Sequence, residues 1–159
     1  MPFQTAIQQQ PEIGVPGDRA SMNPISVISR LAGTGGIAVA RFVWQLADGD
    51  GTVLNSGTGL PLGFAIRDQV GILPTYLQEA GMVVPAGWAV EVAQRGEWFA
   101  TSANVATIGQ KVFATLADGT LQFGAKGATV TGAIETPFAV ERGGAANSVI
   151  KISTWSNYA

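Results

Sequence analysis

From Ile37 onward the chain breaks into short apolar runs of period two. A turn signal interrupts them every roughly eight to twelve residues, the spacing of an all-β sandwich or barrel. Ile37-Ala-Val-Ala-Arg-Phe-Val-Trp44 reads as one strand, followed by the turn Ala47-Asp-Gly-Asp-Gly51. Leu62 to Arg67 reads as a second. Trp88-Ala-Val-Glu-Val-Ala-Gln94 alternates, with Trp88, Val90 and Val92 expected on one buried face. Arg95-Gly96 then predicts a hairpin turn, with Glu97 to Thr101 returning beside the preceding strand. Lys111 to Leu116 and Leu121 to Phe123 flank the turn Ala117-Asp-Gly-Thr120 as another hairpin. Ala133 to Glu135, Phe138 to Glu141 and Val149 to Ser153 complete the strands. Pro74-Thr-Tyr-Leu-Gln-Glu-Ala80, with Gly81 after it, predicts the one short helix.

Residues 1–36 follow no such period. Pro2, Pro11, Pro16 and Pro24 recur around the run Gln8 to Gln10, and five glycines punctuate the remainder. Proline removes backbone donors and fixes φ, so the segment is expected to be an extended arm, not a strand or helix. The expected organisation is thus an arm over 1–36 and a β-barrel or jelly-roll-like sandwich over 37–159.

Composition limits the chemistry. The chain has no histidine and no cysteine among its 159 residues. That removes Ser-His-Asp and Cys-His nucleophiles, thiol redox sites, disulfides, and zinc sites built on His or Cys. Nine basic and eleven acidic residues give a net charge of −2. The basic residues are scattered, so nothing marks a nucleic-acid partner. The charge-free stretch from Gly51 to Ile66 is too short and too polar to span a bilayer. The N-terminus lacks a basic region followed by an apolar run, which predicts a protein made in a cytoplasm.

Two patterns look like sites but do not fit. Asp48 and Asp50 suggest a calcium loop, but its sixth and twelfth positions fall on Val53 and Gly59, which do not fit. Gly33-Thr-Gly35-Gly-Ile-Ala38 has the loose spacing of a dinucleotide site, but an alternating β-branched run follows it where that site needs a helix, and no βαβ spacing appears later; a flexible joint between arm and body is the expected role. No lysine sits in a phosphate-binding loop, and no two of the eleven acids are singled out as a glycosidase pair. No enzyme, cofactor or metal is therefore expected.

Against this background, Gly17-Asp18-Arg19-Ala-Ser21-Met-Asn23-Pro24 resembles the N-terminal signature of the capsid cement proteins of tailed bacteriophages. Gly36-Ile-Ala-Val39-Ala-Arg41-Phe42-Val-Trp44 is similar to the strand that follows it there. Gly109-Gln-Lys-Val112-Phe113, Asp118-Gly119-Thr-Leu121, Glu135-Thr-Pro-Phe138 and Val149-Ile-Lys151-Ile-Ser-Thr-Trp155 continue the likeness in order. The resemblance implies a small β-barrel on the outside of an icosahedral head. Such a protein binds the major capsid protein, clamps neighbouring capsomers, and sits as dimers or trimers at local symmetry axes, without catalysis. On that reading Asp18, Arg19, Ser21, Asn23 and Pro24 are the expected capsid contacts, with the terminal aromatics Trp155 and Tyr158. Asp18 to Pro24 could equally be a loop packed on its own barrel, and Trp155 could fold back instead of anchoring a partner. Two further readings stand beside this one: a tail or baseplate β-domain, and a carbohydrate-binding sandwich using exposed tryptophans.

Overall fold

The computed structural model describes residues 13–67 and 81–157. It is all-β, with twelve strands: β1 (Ser26–Ala32), β2 (Ile37–Ala38), β3 (Phe42–Gln45), β4 (Thr52–Leu54), β5 (Gly63–Ala65), β6 (Val83–Val84), β7 (Ala89–Arg95), β8 (Glu97–Thr101), β9 (Lys111–Thr115), β10 (Leu121–Gly124), β11 (Ala133–Arg142) and β12 (Val149–Ser153). Five of them close a barrel in the order β1-β4-β3-β5-β7, with β7 returning to β1. Five more form a sheet in the order β10-β9-β11-β12-β8, and β2 pairs with β6.

Alternation along the barrel strands decides the packing, because side chains of period two face opposite sides. Val43, Val53, Ala65, Val90 and Val92 form one buried cluster, with Ile37 and Val84 from the two-stranded sheet. Their neighbours in sequence, Phe42, Trp44, Phe64 and Ala93, join a second cluster with Trp98, Val112, Leu121, Phe138, Ile150 and Ile152 of the five-stranded sheet. Phe42, Phe64 and Phe138 meet there with ring centroids 5.5 to 6.4 Å apart, within the range of favourable aromatic pairs. The interface between barrel and sheet is thus itself a core. The β9–β10 turn is pressed into it. Gly119 takes a φ of 70° and its carbonyl accepts from Phe42 N at 2.8 Å.

Several sequence expectations need correction. Residues 26–32, assigned to the arm, form β1 and pair with β7 and β4. Pro24 and Gly33 stand just outside the strand and do not interrupt it. The run 37–44 is two strands, because Ala40 adopts a left-handed φ of 60° and its N–H turns to Ala65 O. Arg95-Gly96 does not close a hairpin. β7 stays in the barrel with β1 and β5, whereas β8 pairs with β12 in the other sheet. Gly96, at φ 137°, is the point where the chain changes sheets. Trp88 is not core: it precedes β7 and is 48 % exposed. The segments 133–135 and 138–141 are one strand, kinked by a register shift between Glu135 and Ala139. The expected helix at 74–80 lies outside the described residues. Gly33 to Gly36 forms a turn between β1 and β2, inside the body.

Candidate functional site

Residues 13–25 run along the outer edge of β8. Gly17 N donates to Phe99 O at 2.8 Å, Phe99 N to Asp18 O at 2.9 Å, and Ala20 N to Glu97 O at 2.9 Å. An edge strand with bare N–H and C=O groups invites foreign pairing. Here the chain covers that edge itself, as a short added strand.

The side chains named from sequence are fastened to the same edge. Asp18 pairs with Arg67 at 3.3 Å, while Arg67 N donates to Gly17 O. Arg19 Nη2 donates to Asn23 O at 2.6 Å, and Asn23 N to Ser21 Oγ at 3.2 Å, which curls 19–23 into a tight knuckle. Asn23 Nδ2 donates to Glu97 Oε1 at 2.8 Å. Trp155 does fold back: its Nε1 donates to Pro24 O at 2.9 Å. Arg19, Ser21, Asn23, Pro24 and Trp155, five of the seven expected residues, thus converge on the Glu97 end of β8, while Asp18 lies beside Phe99. Tyr158 lies outside the described residues.

The residue that organises this end was not expected from sequence. Glu97 is 3 % exposed. Its carboxylate accepts from Asn23 and from Ser153 Oγ, and pairs with Lys151 Nζ at 2.7 Å. Lys151 also holds Glu141 at 2.6 Å. Burial alone would raise the pKa of Glu97. The hydrogen bonds from Lys151, Ser21 and Asn23 outweigh it and hold the carboxyl at about 2. The Lys151 ammonium is shifted upward: burial opposes its charge, but Glu141 and Glu97 more than compensate. No local pattern marks Glu97, which sits in a strand like any other edge glutamate. Its partners lie far away in sequence.

Beside these bonded polar groups the knuckle also shows apolar surface. Met22 is 90 % exposed and Ile25 is also exposed. Beside the arm, a groove of about 440 Å³ is lined by Val15, Pro16, Val39, Met82, Ser102 and Asn147, among others. Among the described residues, no three carboxylates come together as a metal site, and no helix is long and apolar enough to cross a membrane.

Fold and site together define a class: a rigid all-β structural body with its arm strapped along a sheet edge and an apolar knuckle held outward. A known capsid structure has the same fold. A chain from the capsid of the Myoviridae phage XM1 superposes with a TM-score of 0.68 at 19 % identity, each chain covered in full. The N base of the head fiber gp8.5 of bacteriophage phi29 gives a TM-score of 0.48 at 10 % identity, over 81 % of this chain and 92 % of that one. No curated protein sequence matches. The model of the XM1 gp53 minor capsid protein family matches residues 3–154, and the chain belongs to that family. It is a phage capsid-associated structural protein with a β-barrel.

Proposed function

We propose that this chain binds the outer surface of the major capsid protein shell and cements neighbouring capsomers. The observation that carries this reading is the knuckle, where Met22 and Ile25 stand exposed on a turn whose backbone and polar side chains are already bonded. A contact pre-organised in this way loses little conformational entropy on docking, so more of its apolar burial becomes affinity. Asp18, Arg19, Ser21, Asn23, Pro24 and Trp155 serve that contact by shaping the knuckle and framing it. Each contact is modest, and repetition over a closed shell makes the sum large. Copies meet around local symmetry axes, and the work is mechanical, with no catalytic step. Attachment takes place on heads assembled in the host cytoplasm.

Met22→Asp tests this, because the side chain is exposed and the body should fold unchanged. The variant is mixed with expanded, tailless heads and co-sedimentation is measured. Occupancy is expected to fall well below that of the natural protein. Full occupancy by both Met22→Asp and Ile25→Asp removes the knuckle as the contact. Heads that bind neither the natural protein nor the variants point instead to a tail or baseplate component.

A further inference from the structure

The knuckle carries a single charge. From Arg19 to Ile25 the chain reads Arg-Ala-Ser-Met-Asn-Pro-Ile, and Arg19 alone is ionised. The acids nearest to it in the strap are already matched. Asp18 pairs with Arg67 at 3.3 Å, and Glu97 pairs with Lys151 at 2.7 Å. No carboxylate among the described residues forms an ion pair with Arg19. A long exposed side chain ordinarily keeps its rotamer freedom. The Arg19 guanidinium is instead held in place, because its Nη2 donates to Asn23 O at 2.6 Å. The remaining N–H donors of the fork meet no protein acceptor among the described residues.

Docking decides what this group must meet. The bond from Arg19 to Asn23 O closes a turn that contains Met22. A surface that closes over Met22 therefore takes water from the guanidinium beside it. A cation stripped of water without a counter-charge costs more than burying one apolar side chain gains. A cation on the other surface adds repulsion, and a neutral acceptor leaves the charge unbalanced. A carboxylate balances it, and its two oxygens match the planar fork. The residue types agree with a buried contact. Arginine, methionine and tryptophan are enriched where interfaces are most buried. The knuckle shows all three, with Trp155 46 % exposed and bonded to Pro24 O.

We propose that the shell surface receiving the knuckle presents a carboxylate, from Asp or Glu, beside an apolar recess. The recess takes Met22, and the carboxylate takes the free edge of the Arg19 guanidinium. This rests on the reading that the knuckle is the shell contact, and it adds the chemistry of the partner site. It also gives the contact its selectivity. Apolar burial alone accepts any apolar recess, whereas a stripped guanidinium rejects each one that lacks the acid. The chain's own Asp18 cannot stand in for that acid, because Arg67 holds both of its oxygens.

The test uses the full chain, expanded heads, and co-sedimentation at low and high salt. The natural protein should bind more weakly at high salt, where the pair is screened. Arg19→Gln keeps an N–H donor for Asn23 O but loses the charge. It should bind roughly tenfold or more weakly at low salt, with a flatter salt dependence. Weaker binding with the natural salt dependence means only a loosened knuckle and overturns the proposal. So does an Arg19→Gln variant that binds as the natural protein does while Met22→Asp fails to bind. The knuckle then remains the contact, and its partner is neutral. A second variant reads the acid directly. Arg19→Lys keeps the charge and should bind better than Arg19→Gln. Carbodiimide treatment of its complex with heads should join the introduced amine to a shell Asp or Glu as an amide, the carbodiimide taking up the water lost. Mass spectrometry of the digest then names that shell residue. Binding no better than Arg19→Gln, or no cross-link at position 19, overturns the carboxylate. Heads that do not bind the natural protein overturn the reading beneath it and this inference together.

Discussion

At the scale of single residues, Glu97 does the most for the site. A carboxylate 3 % exposed is tolerated only because lysine, asparagine and serine all turn toward it. Its folded pKa of about 2 lies below the ordinary 4.5, so the ionised form stabilises the fold. That contribution is fully present above pH 4.5 and is lost as pH falls toward 2. The gap corresponds to on the order of 3 kcal/mol. Glu97→Gln should therefore be less stable than the natural protein at pH 7 by roughly 1–3 kcal/mol, the cost of leaving buried partners unsatisfied. The difference should shrink toward zero near pH 2. Urea midpoints of the two proteins, taken across that range, check both statements. Between pH 5 and 8 the same measurement should be flat for the natural protein, because no histidine titrates there.

At the scale of elements, legibility depended on whether a strand's partner was close in sequence. β9 and β10 were readable because Asp118-Gly119 joins them directly, with Asp118 Oδ1 accepting from Thr120 N and Oγ1. β8 and β12 had the right bounds from alternation alone, yet β8 was given the wrong partner. Two runs split by Arg-Gly look the same to a local reading whether they pair or part. Only the distant segment 149–153 shows that β8 belongs to the other sheet. β1 was missed because its exposed serines and half-buried Arg30 blur its period, and because Pro24 and Gly33 flank it. The site follows the same rule. The Gly-Asp-Arg-Ala-Ser-Met-Asn-Pro stretch was visible, whereas its anchors Arg67, Glu97 and Trp155 lie 49, 74 and 131 residues from the groups they hold. Gly96 tests the sheet change. A Cβ there would sit 2.9 Å from Trp98 Nε1 and 3.0 Å from Ile25 Cγ2, at a φ that side chains rarely adopt. Gly96→Val should cost about 1–3 kcal/mol and displace Ile25. A lowered Tm, with reduced head binding measured well below it, is the expected pair of results. Deleting residues 1–24 should leave a folded body with β8 uncovered, which light scattering would detect as concentration-dependent aggregation.

At the scale of the whole molecule, barrel and sheet cannot behave as separate units. Phe42 and Phe64 leave the barrel wall and Phe138 leaves the sheet, so the largest buried cluster belongs to both. The packing that holds each half is therefore shared with the other. Phe138 is 1 % exposed and touches both barrel rings, so Phe138→Ala removes the centre of the joint. Truncating a buried phenylalanine costs about 3–5 kcal/mol, a large share of the roughly 5–15 kcal/mol that holds a domain. In the natural protein, tryptophan fluorescence reports on Trp44 in the barrel and Trp98 in the sheet, together with the exposed Trp88 and Trp155, while far-ultraviolet circular dichroism reports on the strands throughout. Both should give one coincident unfolding transition, the mark of a single cooperative unit. In Phe138→Ala the transition should move to lower denaturant by the stated cost. Two resolved transitions in the natural protein would mean that barrel and sheet unfold independently.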